Sequence, residues 1–211
     1  HLKMPIANQK FASINIKKMK YLLLICLVIP SLFISCEEKV YTPKPKAYYR
    51  MEFAPHSYQA FDTTYPYQFE YSKIAMILPD NTNQGEPYWI NIVYPGLNAN
   101  IYVSYKKVTN NLDTLINDSK NFVTGQIKKA EDIIEYHIID TVNNVYGIAY
   151  EILGKNVACP YQFWLTDNKS KFFRGALYFN QTPNNDSLSP AIDYIKTDIL
   201  HLFETFSWKN Q

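Results

Sequence analysis

A run of about 14 residues without a charge, Tyr21 to Ile34, ends at Ser35-Cys36, and whatever folds as a domain lies after it. Met19-Lys20 precedes the run as a short positive segment, reinforced by Lys17 and Lys18. The run falls short of the roughly 20 apolar residues of a comfortable bilayer span, so it reads as a secretory signal. Residues 1–18 show no clear periodicity and do not begin with Met; they read as upstream translated sequence, with Met19 as the start. A cut before Cys36 leaves about 176 residues, enough for one domain with a real core. Cysteine arithmetic then removes one means of holding that domain together. Cys26 leaves with the signal and Cys36 stands at the cut, so Cys159 alone cannot close an internal disulfide. Packing has to do it.

Diacylation of a thiol at a signal cleavage site needs an apolar stretch, a small residue at −1 and then cysteine. Leu32-Phe33-Ile34-Ser35-Cys36 resembles such a lipobox, departing from it at −3, where Phe33 stands in place of Leu, Val or Ile. The expectation is lipid on Cys36; the alternative is an uncleaved signal anchor with an incidental cysteine. Beyond it, Glu37-Glu38-Lys39 is charged and Tyr41-Thr42-Pro43-Lys44-Pro45-Lys46 favours an extended polyproline-type spacer. The acidic pair is too short to decide which membrane face the chain occupies. The expected organisation is an upstream extension at 1–18, a signal peptide at 19–35, a lipid-anchored linker at 36–50 and a single globular α+β domain at 51–211.

Residues 1–35 hold Lys3, Lys10, Lys17, Lys18 and Lys20 and no acid, so removing five positive charges turns a formal +2 into −3. A mildly acidic domain argues against nucleic-acid binding, which calls for a clustered basic face. Only six glycines are present, and neither GxGxxG nor a Walker sequence occurs.

Short apolar and aromatic runs alternate with turn residues along the rest. Tyr65–Tyr71 is a candidate strand, and Tyr88–Tyr94 and Asn100–Lys106 form an expected pair across Pro95-Gly96-Leu97-Asn98. Ile101, Val103 and Tyr105 alternate with Tyr102 and Ser104, the period of a sheet with two distinct faces. Ile133–Asp140, Val145–Leu153, Ala158–Thr166 and Lys171–Asn180 follow as an antiparallel meander, broken by Asn143-Asn144, Gly154-Lys155-Asn156 and Asp167-Asn168-Lys169. A Lys-rich helix is expected from about Asn111 to Ala130. A second starts at Ser187 or Ser189, with Pro190 in its first turn and Ile192, Ile195, Ile199 and Leu202 forming one apolar stripe. Phe206 and Trp208 then make a terminal strand or docking tail. Val145–Leu153 is apolar on both faces, which calls for helices on both sides of the sheet. The fold expected is α+β, an antiparallel sheet in an α/β/α sandwich.

A search for chemistry finds little. No GxSxG elbow, HxH or HExxH occurs, and Cys159 has no histidine near it in sequence and no CxxC partner for zinc. His56, His137 and His201 read as structural or surface groups. Glu131-Asp132 and Glu37-Glu38 read as solvated surface rather than a glycosidase pair. Tyr88-Trp89, after Gly85-Glu86-Pro87, could offer an aromatic binding edge, although a loop leading into a strand with core rings is the plainer reading. Arg174 is the one cation in an apolar strand; a structural ion pair is expected, or failing that a partner's carboxylate. No catalytic, cofactor or metal residue is assigned.

Four segments together resemble the gliding-motility lipoprotein family GldD of Bacteroidetes: the linker Tyr41–Lys46, Glu86-Pro87-Tyr88-Trp89-Ile90-Asn91-Ile92, the strand Arg174–Asn180, and Phe203-Glu204-Thr205-Phe206-Ser207-Trp208-Lys209. The resemblance runs from the lipobox to the end. It implies support of surface gliding and of type IX secretion, contacts with other envelope proteins of those systems, an outer-membrane location of either face, and no catalytic residues. The order of elements also looks like the Mog1/PsbP type of sandwich, whose members mostly bind or assemble, a likeness of fold alone. The expected function is therefore a non-catalytic assembly or stabilising factor, with no cofactor, nucleic acid or small-molecule substrate. The alternative is a lipoprotein that binds a glycan or another envelope ligand through Tyr88 and Trp89.

Overall fold

Alternation along Ala99–Lys107 turns Ile101, Val103 and Tyr105 to one side of an inner strand, and the main sheet is built outward from it. The computed structural model describes residues 53–82 and 85–209, within the unit Tyr48–Gln211. In chain order the described residues form β1 (Tyr58–Phe61), β2 (Tyr67–Ser72), β3 (Met76–Pro79), β4 (Ile90–Tyr94), β5 (Ala99–Lys107), α1 (Leu112–Thr124), β6 (Asp132–Asp140), β7 (Val145–Leu153), β8 (Tyr161–Thr166), β9 (Lys171–Phe179), α2 (Asn185–Thr205) and β10 (Ser207–Trp208). A seven-stranded antiparallel sheet runs β3-β4-β5-β9-β8-β7-β6, and a three-stranded one runs β1-β2-β10. The expected meander is there, β6 to β9 pairing in succession.

Both faces of the large sheet are covered. On one, Ile101, Phe163, Leu165, Phe173 and Leu177 share a core with Ile195, Ile199 and Leu202 of α2 and with Tyr67 and Phe69 of the small sheet. On the other, Tyr150, Ile152, Trp164 and Phe172 pack with Val123 of α1. Consecutive residues Phe163 and Trp164 therefore enter opposite cores, as the strand period requires. The result is the α/β/α sandwich.

Turns fall where amide side chains tolerate the left-handed conformation: Asn98, Asn144 and Asn168 have φ of 52°, 53° and 60°. The β8–β9 turn is closed by Asp167, whose Oδ1 accepts from the backbone N–H groups of Lys169, Ser170 and Lys171 at 2.9, 2.7 and 2.9 Å. Burial raises the pKa of that carboxyl, but these donors outweigh it and hold it below the usual aspartate value.

Five expected boundaries move by two residues or more, the first two being the starts of β2 and β4, at Tyr67 and Ile90 instead of Tyr65 and Tyr88. The C-terminal helix begins at Asn185, with Asn184 as N-cap, so Pro190 lies inside it and neither Ser187 nor Ser189 caps it. The early start is fixed by docking: Asn185 Nδ2 donates to the carbonyls of Gly154 and Val157 at 2.9 and 3.0 Å. The Lys-rich helix ends at Thr124, and turns rather than helix continue to Lys129. Strand β8 starts at Tyr161, because Pro160 has no N–H to give to a ladder. β1 and β3 have no counterpart among the expected strands. The terminal strand expected around Phe206 and Trp208 is β10, paired with β2.

Candidate functional site

Tyr88 and Trp89 sit in the turn that enters β4. Tyr88 has φ of 70°, which an aromatic residue adopts only when its surroundings impose it. Here Tyr67 donates its hydroxyl to the Tyr88 carbonyl at 2.6 Å, and the Tyr88 ring meets Tyr65 and Tyr105 edge-on at 5.3 and 5.8 Å. Trp89 donates its indole N–H to the Tyr105 carbonyl at 2.9 Å, and the Lys106 ammonium, paired with Glu86, lies 5.3 Å above its ring. Both rings are half-buried against the main core.

Arg174, on β9, does not make the ion pair expected of it: among the described residues no carboxylate lies within salt-bridge distance. It donates to Gln162 Oε1 at 2.8 Å, and its guanidinium lies 4.3 Å from the centre of the Phe122 ring, a cation–π contact. Burial pushes its pKa below the ordinary arginine value. Replacing Arg174 by methionine, which keeps the stem and removes the charge, is expected to cost about 1–3 kcal/mol in denaturant unfolding, because it leaves the buried Gln162 Oε1 without its donor and removes the cation–π contact. A loss above about 3 kcal/mol would mean that a charge had been left unpaired.

One acid that no sequence pattern singled out is Asp198 of α2. It is buried, receives the Tyr94 hydroxyl at 3.2 Å and lies 2.7 Å from His56 Nδ1. Rings stack along this side of α2 in the order Phe53, Tyr194, His56, Tyr58, His201, with neighbouring centroids 4.9, 4.1, 6.3 and 3.6 Å apart. His201 Nε2 in turn lies 2.8 Å from Glu70 Oε2. Burial and the Asp198 charge push the Tyr58 phenol up to about 12 and Tyr94 well beyond the usual tyrosine range. These phenols are held protonated, as donors to carboxylate. The arrangement clasps residues 53–61 onto α2.

Cys159 is fully buried, and burial pushes its thiol up to about 12, far from the thiolate that nucleophilic or metal chemistry uses. It lies in the turn before β8 rather than in a strand. His137 is exposed, 3.6 Å from Glu135. Among the described residues no group of three His, Cys, Asp or Glu side chains could hold a metal ion. Cys36, Glu37-Glu38 and the proline-rich spacer lie outside the described residues.

The family described as gliding motility lipoprotein GldD has a model that matches residues 38–208. A comparison with curated proteins found no match. Among solved structures, the chain is similar to the solution structure of cyanobacterial PsbP from Synechocystis, at 12% identity and a TM-score of 0.46. That likeness covers 74% of this chain and 95% of the other.

Proposed function

The chain belongs to the gliding motility lipoprotein GldD family, a lipid-anchored group of the cell envelope, and on that premise we propose that it supports both gliding and type IX secretion by assembling or stabilising other envelope proteins. Family membership across residues 38–208 is the observation that carries this reading. The side chains agree with a role in contacts rather than catalysis: the phenols around Asp198 are donors, and the Cys159 thiol is buried and protonated. Among the described residues no helix is long and apolar enough to cross a membrane. Attachment is assigned to lipid on Cys36, at the end of the lipobox-like segment.

The ligand-binding alternative asks for an open aromatic face. Tyr88 and Trp89 serve it poorly, since one ring is wedged between two tyrosines and the other lies under Lys106.

The test is genetic, in a strain that both spreads and secretes by the type IX route. Deleting the gene is expected to abolish colony spreading and cargo secretion, and the wild-type gene to restore them. A Cys36→Ala gene is expected to restore neither, with its product leaving the membrane fraction. Normal spreading and secretion in the deletion strain would sink the proposal. Full rescue by Cys36→Ala would sink the anchor.

A further inference from the structure

The seven-stranded sheet has two edges, and they are not alike. β3 is four residues long and ends in Pro79, a short edge closed by a residue without an N–H. β6 runs for nine residues, contains neither proline nor lysine, and pairs only with β7 among the described residues. Strand edges of that length expose alternate N–H and C=O groups along their outer side, and proteins ordinarily blunt them. This one is flanked by apolar surface instead. Ile139 is 71% exposed on one side of the sheet, and Val142, in the turn that follows, is 87% exposed. On the other side a groove of about 350 Å³ separates β6 from α2, lined by Tyr136, Ile138, Ala149, Tyr161, Leu200 and Phe203. The hydroxyl of Tyr161, itself buried, has no hydrogen-bond partner there among the described residues.

Charge decides what fits. β6 carries Asp132, Glu135 and Asp140, with His137 as its one basic side chain. The nearest ammonium, Lys196 in the groove wall, is already held by Glu151 at 2.5 Å. A second copy pairing antiparallel about Tyr136 would set Asp132 opposite Asp140 twice, and like charges directly opposed destabilise a ladder. From the open edge, the groove and this acidic pattern we infer that β6 is a docking edge for an extended segment of another protein, one that carries lysine or arginine on both of its faces among apolar residues. The segment adds an eighth strand: its backbone supplies the ladder, its apolar side chains enter the groove beside Tyr136 and Ile138, and its cations face Asp132 and Asp140 at the two ends of the groove side and Glu135 on the opposite face of the sheet. The inference deepens the assembly reading by giving it a surface, and it rests on that reading only for its biological setting.

The experiment uses the full chain in detergent and three synthetic peptides of about ten residues, the length of an ordinary strand. One combines valine and threonine with lysines placed on both of its faces. The second replaces its lysines by glutamate, and the third interrupts the first with two prolines. Hydrogen exchange is followed amide by amide. The basic peptide, at about 1 mM, is expected to slow exchange of the outer β6 amides about tenfold, while the acidic and proline peptides leave them unchanged. Substituting Asp132→Lys with Glu135→Lys is expected to reverse the charge preference. Both positions are exposed, so the variant should keep the fold, and unchanged exchange in β8 and β9 checks that it does. No slowing at β6 by the basic peptide, or equal slowing by the acidic one, overturns the inference. Slowing of β6 by self-association, without any peptide, overturns it in favour of a second copy. None of these outcomes depends on motility, so failure here leaves the gliding proposal standing, and normal gliding in a deletion strain leaves the edge standing.

Discussion

Phe173→Ala is expected to lower the unfolding free energy by about 3–5 kcal/mol, the upper end of the range for truncating a buried ring. The residue is fully buried on β9, and its ring is where separate elements meet. It lies 4.8 Å from Tyr67 and 6.2 Å from Phe69 of β2, 6.2 Å from Phe163 of β8, and 5.0 Å from Phe206 beyond α2. Removing it opens a hole between the two sheets and under the C-terminal tail, and rigid rings collapse into such holes poorly. With Cys159 a free thiol, no disulfide among the described residues offsets the loss. The check is urea unfolding, with the midpoint falling and the slope unchanged. Phe173→Leu, which fills most of the volume, is expected to lose less than half as much. A loss below about 1 kcal/mol for the alanine variant would show that the small sheet is held mainly by other contacts.

That junction was only partly legible in the sequence. Period-2 alternation in Ala99–Lys107 and the stripe Ile192, Ile195, Ile199 and Leu202 were readable because each is a local pattern with one repeat, and all those stripe residues are buried or nearly so. The turns were readable for a similar reason, since Asn98, Asn144 and Asn168 carry their conformational preference themselves. β1 and β3 were not: Tyr-Gln-Ala-Phe and Met-Ile-Leu-Pro are four residues each, too short for a period to show. Partners far apart in the chain were also hidden. Arg174 stood out as a cation in an apolar strand, but three strands lie between it and its contact Phe122 in the chain. Asp198 lies outside the apolar stripe and was not singled out, because nothing local indicates that His56, 142 residues earlier, closes over it. The start of α2 was misplaced because Ser189-Pro190 looks like a helix start, whereas the contacts of Asn185 with Gly154 and Val157 that fix the true start are tertiary. β6 read as one strand among four; that it is an edge is a property of the sheet order and not of its own residues.

The second large effect concerns two glycines in adjoining strand pairs, and the prediction is that they fail for different reasons. A Cβ on Gly147 of β7 would lie 2.1 Å from the backbone oxygen of Trp164, while one on Gly175 of β9 would lie 2.2 Å from the Phe163 ring. Neither space is real, so both alanine variants are expected to be destabilised, Gly147→Ala by at least about 3 kcal/mol. The obstacle at Gly147 is the neighbouring strand's own backbone, which moves only if the β7–β8 ladder opens. The obstacle at Gly175 is a side chain, although one pinned edge-on against Phe203 at 4.9 Å. A shorter side chain at 163 should therefore rescue one glycine and not the other. In Gly175→Ala with Phe163→Leu, the summed single losses are expected to exceed the measured double loss by about 1–2 kcal/mol, a favourable coupling. For Gly147→Ala, trimming its other close neighbour with Leu165→Ala is expected to add its own cavity cost and recover nothing, because the side chain is 2.9 Å away and the carbonyl is nearer. Denaturant unfolding of the four singles and two doubles reads both cycles. Equal rescue in the two would mean that the β7–β8 pair gives way as easily as a ring turns, and that the close approach at Gly147 is not what holds those strands in register.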